Sequence, residues 1–252
     1  MANNISSNIA FAVDEGIAFV SINRVDKHNA MNSALLDELY ELFLQIDELQ
    51  DVRVVVLSGM GSNKAFIAGA DLEEIAARQN FEFRDYYYKF VKIANCIMDL
   101  EKPVIAAVKG YAFGGGCLLV LACDLVYATP NAKFGQQEIN YGFMGSAGML
   151  PRLVGKHKAA EIVMLGDTFD AEEAYRIGIV NRVVDEEMLD TVVRDACEKL
   201  CSKSPHALRM IKKSIRVALE TGLSVANLYE TEVATLCGNT PESREALKPF
   251  TK

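Results

Sequence analysis

No two of the chain's six cysteines form a C-x-x-C pair, and its three histidines, His28, His157 and His206, stand apart with no metal-ligand spacing. A zinc site, or any metal site, and a histidine-based triad are therefore not expected. The cysteines, Cys96, Cys117, Cys123, Cys197, Cys201 and Cys237, fall largely within apolar helical patterns and read as buried, reduced thiols. No apolar run approaches the roughly 20 residues of a membrane span. The opening MANNISSNIAF lacks a basic segment followed by an apolar one, so no secretory signal is expected and the compartment read from the sequence is cytoplasmic. The phosphate-binding pattern G-x-x-x-x-G-K-[ST] is missing, and the glycines do not fit G-x-G-x-x-G. An excess of positive charge is missing too. The formal net charge of −8 over 252 residues argues against a general nucleic-acid binder.

What is present is apolar and regularly patterned. Half of the residues are hydrophobic, which suits one large domain or a core with a smaller appendage. Residues 8–23 predict two short strands around an Asp-Glu-Gly turn. Leu35, Leu36, Leu39, Leu42, Phe43 and Ile46 share one helical face in 33–49, with Asn32 or Ser33 as cap. Buried strands are predicted at 53–58, in PVIAAVKG from Pro103, and at 124–128. Helices are predicted from about Asp71, over 83–99 and over 115–123. Strands alternating with helices predict an α/β fold with parallel pairing. Beyond about residue 190 the pattern is helical only, at 189–202, 206–220 and 223–237, and no long flexible linker intervenes.

Two stretches share one architecture. In KAFIAGADLEE (64–74) and GYAFGGG (110–116) a strand runs through small residues into a helix start. Peptide N–H groups at a helix start have no partner within the helix. Two of them aimed at one point would hold a carbonyl whose oxygen gains charge as the neighbouring carbon becomes an enolate. The alternative is that the glycines only permit tight strand–helix packing. A third stretch, FGQQEINYGFMGSAG (134–148), sets Glu138 beside a glycine-rich, mostly apolar loop. Such a carboxylate is either a general acid or base with a raised pKa, or a surface glutamate on a loop. Tyr86, Tyr87 and Tyr88 are consecutive on a predicted helix, so at most two of them face one pocket. RMIKKSIR (209–216) reads as an amphipathic helix with a solvated basic face, or as a contact for phosphates.

Taken in order, KAFIAGADLEE, AAVKGYAFGGGC, ACDLVYA, AKFGQQEINYG and GDTFDAEEAYRIGIVNRVV (166–184) resemble the crotonase, or enoyl-CoA hydratase/isomerase, superfamily, and NRVDKHNAMN (23–32) resembles its N-terminal segment. The resemblance runs from about residue 8 to 240. It implies a crotonase-like spiral core of repeated ββα units, assigned here to 1–190, and a helical region, 191–252, that drives assembly into a homotrimer or a hexamer made of two trimers. It implies an acyl-CoA thioester substrate, whose coenzyme A is part of the substrate, with no separate cofactor. The thioester carbonyl would lie between the N–H groups of Ala70 and Gly115. Ile67, Ala68, Gly69, Ala70, Asp71, Leu72 and Glu73 would bind the CoA end, and Lys27 its phosphates. Hydratases of the family carry two glutamates. This chain keeps one as Glu138 but has Leu118 where the other stands, and Ser146 where some members carry an aspartate.

Leucine neither binds water nor passes a proton. The sequence therefore leaves open a hydratase, of an aryl or dienoyl thioester for instance, a double-bond isomerase using Glu138 alone, and a weakly active acyl-CoA binder. FGQxE favours the hydratase. Removal of one member of a cooperating pair predicts slow hydration of crotonyl-CoA.

Overall fold

The computed structural model describes residues 3–4, 8–61, 65–78 and 80–250. Lys64, where the first glycine-containing motif begins, and residues 1–2 and 5–7 of the N-terminal stretch read above lie outside the described residues.

Among the described residues, eleven strands form two sheets. The larger runs in the order β1 (Asn3–Asn4), β2 (Ile9–Asp14), β3 (Ile17–Ile22), β4 (Val54–Gly59), β6 (Val104–Val108), β8 (Leu125–Ala128), β11 (Arg182–Val183). The smaller runs β10 (Thr168–Asp170), β9 (Lys133–Gly135), β7 (Tyr111–Phe113), β5 (Ala65–Ile67). The hairpin of β2 and β3 turns through Glu15 and Gly16 at φ +49° and +80°. Two positive φ values in a two-residue loop match the right-handed twist of the flanking strands. From β3 to β11 the pairing in the large sheet is parallel. β6 is buried along its whole length, as expected of a strand covered on both faces.

The chain advances in steps that each spend one strand in either sheet. β4 leads to β5 and then to α2 (Leu72–Ala76) and α3 (Asn80–Asp99). β6 leads to β7 and then to α4 (Gly115–Ala122). β8 leads to β9 and then to a 3₁₀ turn at Gln137–Tyr141. This is the ββα spiral that the sequence resemblance implies. Of the short second strands, β5 and β7 are the ones read in KAFIAGADLEE and GYAFGGG, and only β9 is not read from the sequence.

One face of the large sheet is covered by α1 (Ser33–Glu48), α3 and α4, whose buried residues form the main core. Asn32 caps α1, its side chain accepting from the Leu35 N–H at 3.0 Å. The other face is covered by α8 (Glu186–Cys201), whose Leu189, Val193 and Cys197 pack on Ile17, Val54, Val56 and Ile105. The division at 190/191 thus falls inside a helix whose buried face belongs to the core. Between the last strands lie α5 (Leu150–Val154), α6 (Lys156–Leu165) and α7 (Ala171–Arg176). The chain closes with α9 (Pro205–Glu220), α10 (Leu223–Gly238) and α11 (Pro241–Leu247).

The basic run of α9 is a clasp rather than a free face. Arg209 and Lys213 pair with Glu101, and Arg216 with Asp99 and Glu220. Lys212, the buried residue of α9, donates to Asp124 at 2.7 Å and to the carbonyls of Ile97 and Lys102. The six cysteines are free thiols, but only Cys117 and Cys197 are fully buried and the others are half-buried. No described helix is long and apolar enough to cross a membrane.

Candidate active site

Parallel pairing of β5, β7 and β9 brings their C-terminal ends to one edge of the small sheet. Ile67 pairs with Ala112, and Phe113 with Gly135. The segments that follow these strands, Ala68–Asp71, Gly114–Gly115 and Gln136–Glu138, are therefore neighbours, although they lie far apart in sequence. They meet over a cavity of about 390 Å³.

The first segment is pinned from below. Met31 donates to the Gly69 carbonyl at 2.9 Å, and Asp71 N–H reaches the Met31 carbonyl at 3.2 Å. This bridge uses the residues on either side of Ala70, so the Ala70 N–H is directed away from it. Tyr86, fully buried, holds the same turn: its hydroxyl donates to the Met31 carbonyl at 2.5 Å and accepts from Asp71 N–H at 2.9 Å. Asp71 caps α2 through the N–H groups of Glu73 and Glu74 and pairs with Arg24 at 3.0 Å. Arg24 and these N–H groups hold its carboxyl below the usual aspartate range even though burial acts the other way.

The second segment explains three glycines in a row. Gly114 caps α4 at φ +50°, ψ −118°, a conformation that a side chain would strain. A carbon added to Gly115 would stand 2.3 Å from the Phe90 ring, and one added to Gly116 would stand 2.1 Å from the Ile67 carbonyl oxygen. The helix thus sits directly on β5. Gly115 is the first residue of α4, so its N–H has no acceptor within the helix. A carbon built on Gly69 would lie 3.7 Å from the Gly115 nitrogen, which shows how closely the two turns approach.

The third segment supplies the carboxylate. Glu138 is half-buried on the cavity wall, seated against Gly114 and Gly145: a carbon on either would stand 3.2 Å or 2.1 Å from its Oε1. Burial raises its pKa, against the pull of its own backbone N–H. The buried Gln136 faces it. With the amide turned so that its NH₂ points at the carboxylate, Gln136 donates to Oε1 at 3.1 Å and Oε2 at 3.2 Å, and its oxygen accepts from the Ser146 hydroxyl at 2.9 Å.

Leu118 lines this cavity and a second one of about 480 Å³ that runs on between α3, α4 and α9. Tyr87, Met144 and Ser146 are likewise shared by both. The walls are aromatic, with Phe83 stacked on Phe143 at 4.9 Å between centroids.

Of the residues singled out in the sequence, Lys27, Ala68, Gly69, Ala70, Asp71, Leu72, Glu73, Gly115 and Glu138 line the first cavity. Ile67 does not: it is fully buried in β5, and its carbonyl lies under Gly116. Lys27 stands at the rim, donating to Glu73 at 2.8 Å. The sequence reading missed Gln136, Phe90 and the Phe83–Phe143 wall. The glutamine had a signal, because it lies two residues before the retained glutamate; the phenylalanines look like any core aromatic.

A family model described as enoyl-CoA hydratase/isomerase matches residues 12–252. The short-chain-enoyl-CoA hydratase of Clostridium acetobutylicum is 34% identical over 247 residues, covering 97% of this chain and 94% of that one. The mitochondrial enoyl-CoA hydratase of Pongo abelii is 37% identical over 238 residues, covering 93% and 80%. The crystal structure of an enoyl-CoA hydratase from Bacillus anthracis superposes with a TM-score of 0.92 at 33% identity, covering 96% of this chain and 95% of that one. Two backbone turns, one carboxylate and this spiral thus occur together in a chain that belongs to the enoyl-CoA hydratase/isomerase, or crotonase, family and is an enzyme of that type.

Proposed function

We infer that the protein adds water across the 2,3 double bond of a 2-enoyl-CoA thioester, using Glu138 for proton transfer. The observation that carries this reading is the meeting of the Ala70 and Gly115 turns with Glu138 over one cavity. The thioester oxygen would sit between the two N–H groups, which stabilise it as an enolate oxygen. Glu138 takes a proton from water as the oxygen bonds to C3, the π electrons move to the enolate, and the same proton returns to C2. Burial supports the carboxylate as a base, because its raised pKa brings its basicity closer to that needed near neutral pH. Coenzyme A arrives with the substrate, so no separate cofactor enters the reaction. Residues 68–73 would receive its thioester end and Lys27, at the rim, its phosphates.

The second cavity and the aromatic walls favour an acyl group bulkier than crotonyl, such as an aryl-propenoyl or longer apolar chain. One observation favours a second reaction: Leu118 leaves Glu138 as the sole carboxylate placed by motif, which suffices for double-bond isomerisation through a dienolate. Six free cysteines suit a reducing compartment, so the reading includes a cytoplasmic enzyme. The exposed apolar faces of α9 and α10 suit a homotrimer or a pair of trimers.

The test is a panel of 2-enoyl, 3-enoyl, dienoyl and aryl-propenoyl thioesters, with products followed by mass. Hydration adds one water, isomerisation adds nothing, and binding without turnover would refute both. Glu138→Gln should abolish turnover while thioester binding persists; a fully active variant would remove Glu138 from the mechanism.

A further inference from the structure

With Leu118 in place of an acid, the attacking water loses one of its two partners. A water that adds to carbon needs a group to take its proton and another to fix its oxygen in line with C3. Glu138 supplies the first. Leu118 and Met144, which line the cavity beside it, supply no hydrogen bond.

Tyr87 does. Consecutive helical residues point about 100° apart, and α3 sorts its three tyrosines accordingly. Tyr86 turns inward under the Ala70 turn, Tyr88 is 64% exposed, and Tyr87 faces the place where the two cavities join. Tyr87, Ser146 and Glu138 line the same cavity, Tyr87 and Ser146 also line the second, and the Glu138 carboxylate is near enough to act on the phenol electrostatically. Ser146 is itself held on several sides. Its hydroxyl engages Gln136, its carbonyl accepts from Met149 and Leu150 at 3.1 Å each, and its backbone sits at φ +50°, an uncommon conformation for a residue with a side chain. A phenol that stays protonated has an O–H to give. Burial and the neighbouring carboxylate both push the Tyr87 pKa up, so the hydroxyl stays protonated through the working range.

We propose that Tyr87 is the second group of the hydration step: its O–H donates to the oxygen of the attacking water while Glu138 takes that water's proton. This rests on the hydratase reading. The bookkeeping is that of the single-base mechanism. One water O–H bond breaks, its proton goes to Glu138 and then to C2, the O–C3 bond forms, and Tyr87 ends the cycle with its own proton. Tyr87 thus stands in for part of the carboxylate that Leu118 replaces.

Tyr87→Phe keeps the ring and removes only the O–H. Two reactions are measured on wild type, Tyr87→Phe and Glu138→Gln. One is water addition to a 2-enoyl thioester. The other is exchange of the C2 proton of a saturated thioester with D₂O, which needs the base and the oxyanion site but no attacking water. For Tyr87→Phe, kcat for water addition should fall roughly 10- to 100-fold, the size of one hydrogen bond to a group developing charge. Its KM and its exchange rate should stay at the wild-type level. Glu138→Gln should lose both reactions. Water addition by Tyr87→Phe at the wild-type rate would overturn the proposal alone. So would an equal fall in both reactions, which marks a packing role. Wild type that exchanges protons but adds water to no thioester of the panel would overturn the hydratase reading, and the proposal with it.

Discussion

Glu138 carries a cost that the proposed role as base would require. Its carboxyl lies in a mostly apolar wall between two glycine backbones, and burial raises its pKa above the ordinary 4.5. Two consequences follow from the sign of that shift. For activity, the base must be ionised, so kcat/KM should fall as pH drops through the raised folded-state value, with an acid limb above that of a free glutamate. For stability, the folded protein binds the proton more tightly than the unfolded chain does. Between the unfolded and the folded pKa the native state holds more protons, so stability declines as pH rises through that window and stays lower above it. Glu138→Gln removes this term. The inactive variant should therefore melt at a higher temperature than wild type at pH 7, with the difference fading by about pH 4, where the carboxyl is protonated in both states. Parallel melting curves for the two proteins from pH 4 to 8 would show that burial does not penalise the charge.

At the scale of elements, the site depends on how closely α4 lies on β5. Gly116 sets that distance, since any side chain would meet the Ile67 carbonyl at 2.1 Å. Gly116→Ala should push α4 off the small sheet, at a cost of about 1–3 kcal/mol in stability. The Gly115 N–H would move away from the Ala70 N–H with it. The loss of kcat should therefore exceed what the remaining folded fraction explains, because an oxyanion donor works only when aimed at the oxygen. Denaturant unfolding and turnover per folded molecule separate the two effects.

This coupling also shows where the sequence was readable. GGG and the small residues of AGA announce close backbone approach, and FGQQE places the carboxylate, so the three segments of the site are legible one by one. Their convergence is legible only through the resemblance, because β5, β7 and β9 are three residues each, too short to show which strand pairs with which. The direction of Tyr87 is not legible at all. It depends on the rotation of α3 about its axis, which is set by Tyr86 binding Met31 and Asp71 across a gap in sequence that no periodicity encodes. That 190/191 lies within α8 has a similar cause: α8 and α9 are both amphipathic, and only tertiary packing tells that α8 covers the large sheet.

At the scale of the whole molecule, α9 and α10 are fixed by few groups and show much apolar surface. Lys212 is the one buried side chain of α9, reaching through to Asp124. On the outer side Ile211, Ile215 and Leu219 recur at four-residue intervals, and on α10 Leu223 and Leu228 are 76% and 65% exposed. A stripe of this spacing on one helix, continued on the next, is more than scattered surface hydrophobics, and it is the face that the proposed assembly would use. Self-association through it should survive changes at the active site and fail on a charge placed within it. The double substitution Leu223→Glu, Leu228→Glu touches neither cavity lining, so it should leave the fold and the thioester site of each chain intact while lowering the solution mass towards the 27.7 kDa of one chain. Light scattering after size exclusion reads the mass directly. A wild type that already runs as a monomer, or a double variant that keeps a trimer's mass, would place the assembly face elsewhere or deny it. Activity per chain gives the complementary reading. If the dissociated variant keeps its turnover, the site is complete within one subunit; if turnover falls with the mass, a neighbouring subunit completes it.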